Sequence, residues 1–246
     1  MSDLELDKTY QKGSRGNKVR LIQEWLCLNG IHVTVDGAFG PATEAAVKQF
    51  QEREGLAAAG VVGQETFARL IASMTAALSD LPRDNKSLGE MIVAYAMQHL
   101  EQHPREIGGQ NRGPWVRLYM NGHEGPELPW CAGFACFILK QAFQTLEDPL
   151  PLTLSFSCDS LAADAQQRGI FLGEKEFNDP SQITPGSFFL NRRTPTDWVH
   201  TGIVTSAASN CFQAIEGNTN DEGSHEGYEV CQRIRGYKDK DLIVFA

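Results

Sequence analysis

This chain has no basic excess: 22 Lys and Arg stand against 31 Asp and Glu, a formal charge of −9. It therefore has no cationic surface to displace counterions from a phosphate backbone, and nucleic acid is not an expected partner. It also has no long apolar run. Crossing a bilayer takes roughly 20 apolar residues, and no stretch comes near that, so membrane insertion is not expected. The opening MSDLELDKTYQKG has no basic start followed by an apolar core. A secretory signal peptide is not expected from it, and synthesis in the cytoplasm is. The six cysteines (Cys27, Cys131, Cys136, Cys158, Cys211 and Cys231) include no CxxC pair, which argues against a zinc ribbon or a disulfide framework. Most are expected reduced and buried, with a Cys211–Cys231 bridge between late strands left open. Neither a metal site nor an organic cofactor is expected.

What is present is an ordinary globular composition, 41% apolar and 22% charged, over a length that favours two domains. The first is helical. Val19, Ile22, Trp25 and Leu26 recur at three- and four-residue spacing, and Gly30 is placed to end that helix. Thr43, Ala46, Val47 and Phe50 repeat the period, as do Phe67, Leu70 and Ile71. The segment also echoes itself: Gly37-Ala-Phe-Gly40-Pro-Ala-Thr43 and Gly60-Val-Val-Gly63-Gln-Glu-Thr66 share a G-x-x-G-x-x-T skeleton, and each leads into a helix.

With Gly13-Ser-Arg-Gly16, Lys18-Val19 and Leu21-Ile-Gln-Glu-Trp-Leu26, these turns and helices resemble the three-helix peptidoglycan-binding module. The resemblance implies an all-α unit over residues 1–75, with peptidoglycan as its partner. Asp36 and Phe39 are its candidate wall-contacting residues, although turn geometry alone would also account for both. A linker is expected over 76–87, where Ser79, Asp80, Pro82, Asp84 and Asn85 break the periodicity.

From residue 88 to the end the pattern is mixed. An amphipathic helix over 88–100, a short one over 115–120 and a third over 130–144 are followed by short strands. The strands are expected at 187–191, 199–205, 211–216, 229–235 and 242–245. This is the pattern of an α+β domain with an antiparallel sheet. Pro129 suits a helix's first turn, so Cys131 is expected in that turn, where unpaired N–H groups and the helix dipole favour thiolate. The small Ala132, Gly133 and Ala135 leave room for a partner to approach, while Cys136, among Phe134, Phe137 and Ile138, reads as core.

A thiolate nucleophile needs a base. His200 opens a strand, and a hairpin turning at 207–209 would set it opposite Glu216 on one face with Gly202, Val204, Phe212 and Ala214. Asn218 would share that face if the strand continues. The plain alternative is a half-buried core thiol beside an ordinary strand-end histidine.

Pro129-Trp-Cys-Ala-Gly-Phe134, Pro185-Gly-Ser-Phe-Phe-Leu190, Val199-His-Thr-Gly-Ile-Val204 and Ile215-Glu-Gly-Asn-Thr-Asn220 resemble the CHAP family, cysteine- and histidine-dependent amidohydrolases/peptidases of papain-like fold. The chain departs from the family pattern at Ser187 and Val199. The resemblance implies Cys131 as nucleophile, His200 as base, Glu216 as orienting acid and Asn218 as helper. Trp130 and Trp198, with Asp197, Arg192 and Arg193, are candidate groove residues. Together the two resemblances imply a peptidoglycan hydrolase, cutting either the muramoyl–L-alanine amide or a stem or cross-bridge peptide bond, and separate modules joined by a linker make a monomer the expectation. It would reach the wall by release at lysis or by specialised export. A wall-binding protein with a decayed enzyme fold, or a cytosolic amidase on small peptides, are the competing readings.

Overall fold

The computed structural model describes residues 2–177, 179–220 and 227–245. The N-terminal part holds α1 (Asn17–Leu28), α2 (Pro41–Arg53), α3 (Gln64–Leu70) and α4 (Ala72–Ala77). In α1 the apolar period closes Val19, Ile22, Trp25 and Leu26 into the core. The helix stops where Gly30, at φ 79°, donates to Cys27 O and Ile31 donates to Leu26 O, an end only a left-handed residue permits at low cost.

The internal echo has a structural counterpart. Buried Gln23 donates to Ala38 O at 3.1 Å and Thr43 Oγ1 at 3.1 Å, and accepts from Gly37 N at 2.8 Å. Buried Gln51 repeats the pattern on the second turn, with Val61 O at 2.9 Å, Thr66 Oγ1 at 3.0 Å and Gly60 N at 2.9 Å. Each glutamine satisfies the backbone of one glycine turn from inside, which explains why a side chain with both donors and an acceptor stands there.

The stretch expected to link the two halves is itself packed. Ala77 is fully buried and Leu78 and Leu81 lie against the core. Gln98 Nε2 donates to the carbonyls of Ala76, Ala77 and Ser79. Beyond it, α5 (Leu88–Leu100) opens on a capping box in which Ser87 and Glu90 satisfy each other's backbone N–H. Then come α6 (Pro114–Tyr119), α7 (Cys131–Leu146) and α8 (Cys158–Arg168).

One hydrophobic core runs from the N-terminal helices into these. Trp25 meets Trp115 edge-on at 6.2 Å, and Arg117 reaches Asp3 at 2.6 Å, Glu24 at 2.7 Å and Glu124 at 2.8 Å. His99 is buried among Trp115, Tyr119, Phe134 and Phe137. Its ring bonds Tyr119 OH at 2.9 Å and Gln141 Oε1 at 2.8 Å. Burial pushes its pKa down to about 4. Among the described residues, no helix is long and apolar enough to cross a membrane.

The sheet is antiparallel and six-stranded, in the order β1-β6-β2-β3-β4-β5. Its strands are β1 (Phe171–Leu172), β2 (Phe188–Thr194), β3 (Asp197–Ala207), β4 (Cys211–Thr219), β5 (Glu229–Gly236) and β6 (Lys240–Ile243). Five of them lie near the expected positions; β1 and α8 were not foreseen. Helix α8 carries its own start and stop, a Ser157 cap on Ser160 N and a left-handed Gly169, and its short polar sequence hides the period.

The two sheet faces bury different sets. Ile203 and Ile215 join the core that holds α7, whereas Phe189, Val204, Phe212 and Ala214 form a second cluster with Ile183 and Leu242.

Candidate functional site

Helix α7 begins at Cys131, with Trp130 as its cap residue. Trp130 is held from two sides: its Nε1 donates to Glu106 Oε1 at 2.8 Å, and its ring stacks on Tyr119 at 5.5 Å. Burial pushes the Glu106 carboxyl up, against the bonds from Trp130 and Asn111. The room expected beside Gly133 is taken by α6, since a Cβ there would lie 2.6 Å from Met120 Sδ and 2.8 Å from Tyr119 O. Strand β4 instead approaches α7 at Gly217, where a Cβ would meet Phe134 Cβ at 2.6 Å.

His200 and Glu216 come together, but not in the expected register. The β3–β4 ladder pairs Ile203 with Ile215 and is shifted between Val204 and Ser206. Continuing that pairing puts Gly202, not His200, opposite Glu216. The acid and imidazole are diagonal neighbours: His200 Nε2 donates to Glu216 Oε2 at 2.9 Å. They meet over Gly202, whose missing side chain leaves the space, because a Cβ there would stand 2.6 Å from Glu216 Cγ and 2.8 Å from Phe189 Cε1. The expected common face of His200, Gly202, Val204, Phe212, Ala214 and Glu216 exists, but it is the face of the second cluster, not the one covered by α7. Thiol and imidazole meet where the β3–β4 ladder ends. There Cys131 interacts with His200 and with the backbone N–H of Thr201.

The electrostatics follow from this packing. Cys131 is 3% exposed and His200 2%. A hydrogen bond from Cys158 and the neighbouring His200 hold the Cys131 thiol well below the usual cysteine range, against the opposing effect of burial. Burial pulls the other way on His200, but Cys131 and Glu216 outweigh it and raise the imidazole to about 9. The pair thus favours thiolate and imidazolium. With Nε2 donating to Glu216, Nδ1 is the nitrogen left for a proton, and it is buried without a hydrogen bond of ordinary geometry. Cys136 is core as expected: it bonds Ser155 O at 3.3 Å and burial raises its thiol to about 12.

Two participants were missed. Cys158 opens α8 and faces Cys131, and Arg235 on β5 grips Glu216 with Nε–Oε1 at 2.8 Å and Nη2–Oε2 at 2.6 Å. Strand alternation groups Cys231, Arg233 and Arg235 on one face of β5, but only the observed pairing of Arg235 with Phe212 sets that face on the Glu216 side. Cys158 had no such signal, since α8 itself was not foreseen.

The remaining sequence candidates are placed as follows. Asn218 is buried with φ 54°, and among the described residues neither of its amide atoms has a hydrogen-bond partner. Trp198 is tied down by Nε1 to Asp241 Oδ2 at 2.8 Å and by its backbone N–H to Asp159 Oδ1 at 2.7 Å. Arg192 pairs with Asp241 and Glu174, and Arg193 with Asp197. Phe39, only 2% exposed, is core and has no surface for a glycan; Trp130, fully buried, has none either. Asp36 binds Gln23 Nε2 and Ala38 N, both at 2.8 Å, so its carboxylate closes the turn. Cys211 and Cys231 are separate thiols. Among the described residues, no three His, Cys, Asp or Glu side chains are grouped to hold a metal ion.

Residues 15–70 match the peptidoglycan binding domain family, so the N-terminal region carries a peptidoglycan-binding domain. Over 65 residues the chain is 43% identical to the zinc D-Ala-D-Ala carboxypeptidase of Streptomyces albus G, covering 25% of this chain and 26% of that protein. Over 77 residues it is 34% identical to the carboxy-terminal processing protease CtpA of Bacillus subtilis (strain 168), covering 31% of this chain and 16% of that one. The chain therefore spans about a quarter or less of the length of these curated relatives. Among solved structures, the Burkholderia AP3 phage endolysin is 38% identical over 26% of this chain and 25% of its own, with a TM-score of 0.26.

Proposed function

We propose that this protein is a peptidoglycan hydrolase that opens an amide bond of the cell wall with Cys131 as nucleophile. Residues 1–75 would bind the wall, and residues 88–246 would be a papain-like, CHAP-type catalytic unit. The observation that carries the reading is the 2.9 Å His200 Nε2–Glu216 Oε2 bond, which leaves Nδ1 as the free ring nitrogen beside a thiol at a helix start. A cysteine, a base and an orienting acid in that relation are what acyl transfer requires.

The Cys131 thiolate attacks the scissile carbonyl carbon, and the backbone N–H groups at the start of α7 are the nearest donors for the resulting oxyanion. The His200 imidazolium gives its Nδ1 proton to the departing amine, and the C–N bond breaks to leave a thioester. His200 then takes a proton from water as the water attacks the thioester, and the thiolate returns as the acid product leaves. Asn218, with a buried amide that has no partner among the described residues, is the helper of this set. No step calls for a metal or an organic cofactor.

The test is digestion of purified sacculi by the full chain and by Cys131→Ala, with fragments identified by mass spectrometry. Expected are soluble fragments from the unsubstituted protein alone. Free stems beginning at alanine identify an amidase; new amines within glycan-linked stems identify an endopeptidase. Equal digestion by the alanine variant would sink the nucleophile assignment, and binding without digestion by either protein would favour a wall-binding protein.

A further inference from the structure

Glu216 has no exposed surface, yet its two oxygens meet three donors. Oε1 accepts from Arg235 Nε, and Oε2 is shared between Arg235 Nη2 and His200 Nε2. Orienting an imidazole takes one carboxylate oxygen. The guanidinium on the other side is a fork that fits a carboxylate edge-on, and such pairs fix both plane and direction. It is also the cation that a fully buried carboxylate needs, since removing one partner of such a pair leaves an uncompensated charge.

We propose that Arg235 is a positioning residue of the Cys131–His200–Glu216 set, holding Glu216 ionised and in the imidazole plane so that the imidazolium charge is directed to the Cys131 sulfur. The inference rests on the cysteine-nucleophile reading above. With Arg235 present, thiolate, imidazolium, carboxylate and guanidinium sum to zero; without it, one negative charge is left over in a buried site.

Other charged or titratable groups face this set. They are Cys136 from α7, Cys158 and Asp159 from α8, Cys231 opposite Glu216 and Arg233 opposite Ala214 on β5, and Lys240 from β6. The contacts of the Glu216 carboxylate are those with Arg235 and His200; Arg233 stands opposite Ala214 on the same face of β5, and Lys240 bonds Asn191 Oδ1 at 2.8 Å. A more negative surrounding makes both protons harder to remove, from the thiol and from the imidazolium. The two limbs of a pH profile then move in the same direction, upward.

The experiment is alkylation of the full chain by iodoacetamide across the acid-to-alkaline range, reading the Cys131 peptide by mass spectrometry. It is run for the unsubstituted protein, Arg235→Gln and Arg235→Lys. In Arg235→Gln both limbs are expected to move up by about one pH unit, the size of an ordinary charge effect at a buried site. In Arg235→Lys, which keeps the charge and loses the fork, the limbs stay in place and the plateau rate drops severalfold. Limbs that do not move in Arg235→Gln, or that move equally in both variants, overturn the proposal. A loss of packing alone would lower the amplitude and leave the limbs where they are. Should Arg235→Gln fail to fold, the lysine variant decides: an unchanged plateau overturns the proposal, and a lowered plateau with fixed limbs supports it. If Cys131 in the unsubstituted protein titrates like an ordinary thiol near 8.5, the nucleophile reading itself fails. A thiolate reactive at lower pH that ignores both substitutions removes only the role of Arg235.

Discussion

Gly202→Ala tests the diagonal His200–Glu216 arrangement at a single atom. The added Cβ would stand 2.6 Å from Glu216 Cγ, 2.8 Å from Phe189 Cε1 and 3.0 Å from Ile215 O. Carbon atoms rest about 3.5–4.0 Å apart, so Glu216 or Phe189 must yield by roughly 1 Å. Phe189 and Glu216 are both fully buried and Ile215 O belongs to the backbone; the rotatable Glu216 side chain can turn where the rigid Phe189 ring cannot, so Glu216 is the group that moves. Overpacking of this kind costs about 1–3 kcal/mol, which lowers the melting temperature by roughly 2–12 °C in a chain of this size. A 1 Å retreat stretches the 2.9 Å bond to His200 beyond the range of a hydrogen bond. Misplacement on this scale costs about 10²-fold in rate. Thermal unfolding and the initial rate of fragment release from sacculi report the two effects separately. A variant with unchanged melting and undiminished rate would refute the reasoning, because it would mean that the space over Gly202 is not what lets the acid reach the base.

Two further perturbations probe the contact between the N-terminal helices and the rest. Arg117→Met leaves Glu24, 1% exposed, with only the half-exposed Arg20 at 3.1 Å; a loss of about 3 kcal/mol is expected in urea unfolding, and Glu24→Gln added to it should recover part of that loss. His99 is neutral and buried in the folded state, with its pKa depressed from 6.5 to about 4. The unfolded chain therefore binds the extra proton between those values, and stability is lost as pH falls from 6.5 towards 4. The full effect is roughly 3 kcal/mol. Melting measured against pH should show this slope in the unsubstituted protein and a flatter one in His99→Gln; equal slopes would mean that His99 titrates freely.

Local signals explain what could be read in advance. The α5 helix runs over the expected residues because its cap, Ser87 with Glu90, is contained within four positions. The start of α7 one residue after Trp130 follows from Pro129 in the same way. The duplicated glycine turns were visible as a repeat, although the two glutamines that satisfy them, Gln23 and Gln51, were not recognised as its counterpart. Phe39 stands beside the Asp36 turn in sequence, but the helices pack it inward.

The amino-acid sequence by itself determined most of the helices with their caps and turns, and the approximate strands. These depend on interactions a few residues apart. Only the tertiary structure decided the β3–β4 shift that makes Gly202 the gap between His200 and Glu216. It alone brought Arg235 and Cys158 to the site and packed residues 76–81 against α5. A bulge changes the register by one residue, and a docked surface depends on two faces meeting. Neither energy is carried by any short stretch of chain, so neither leaves a mark there.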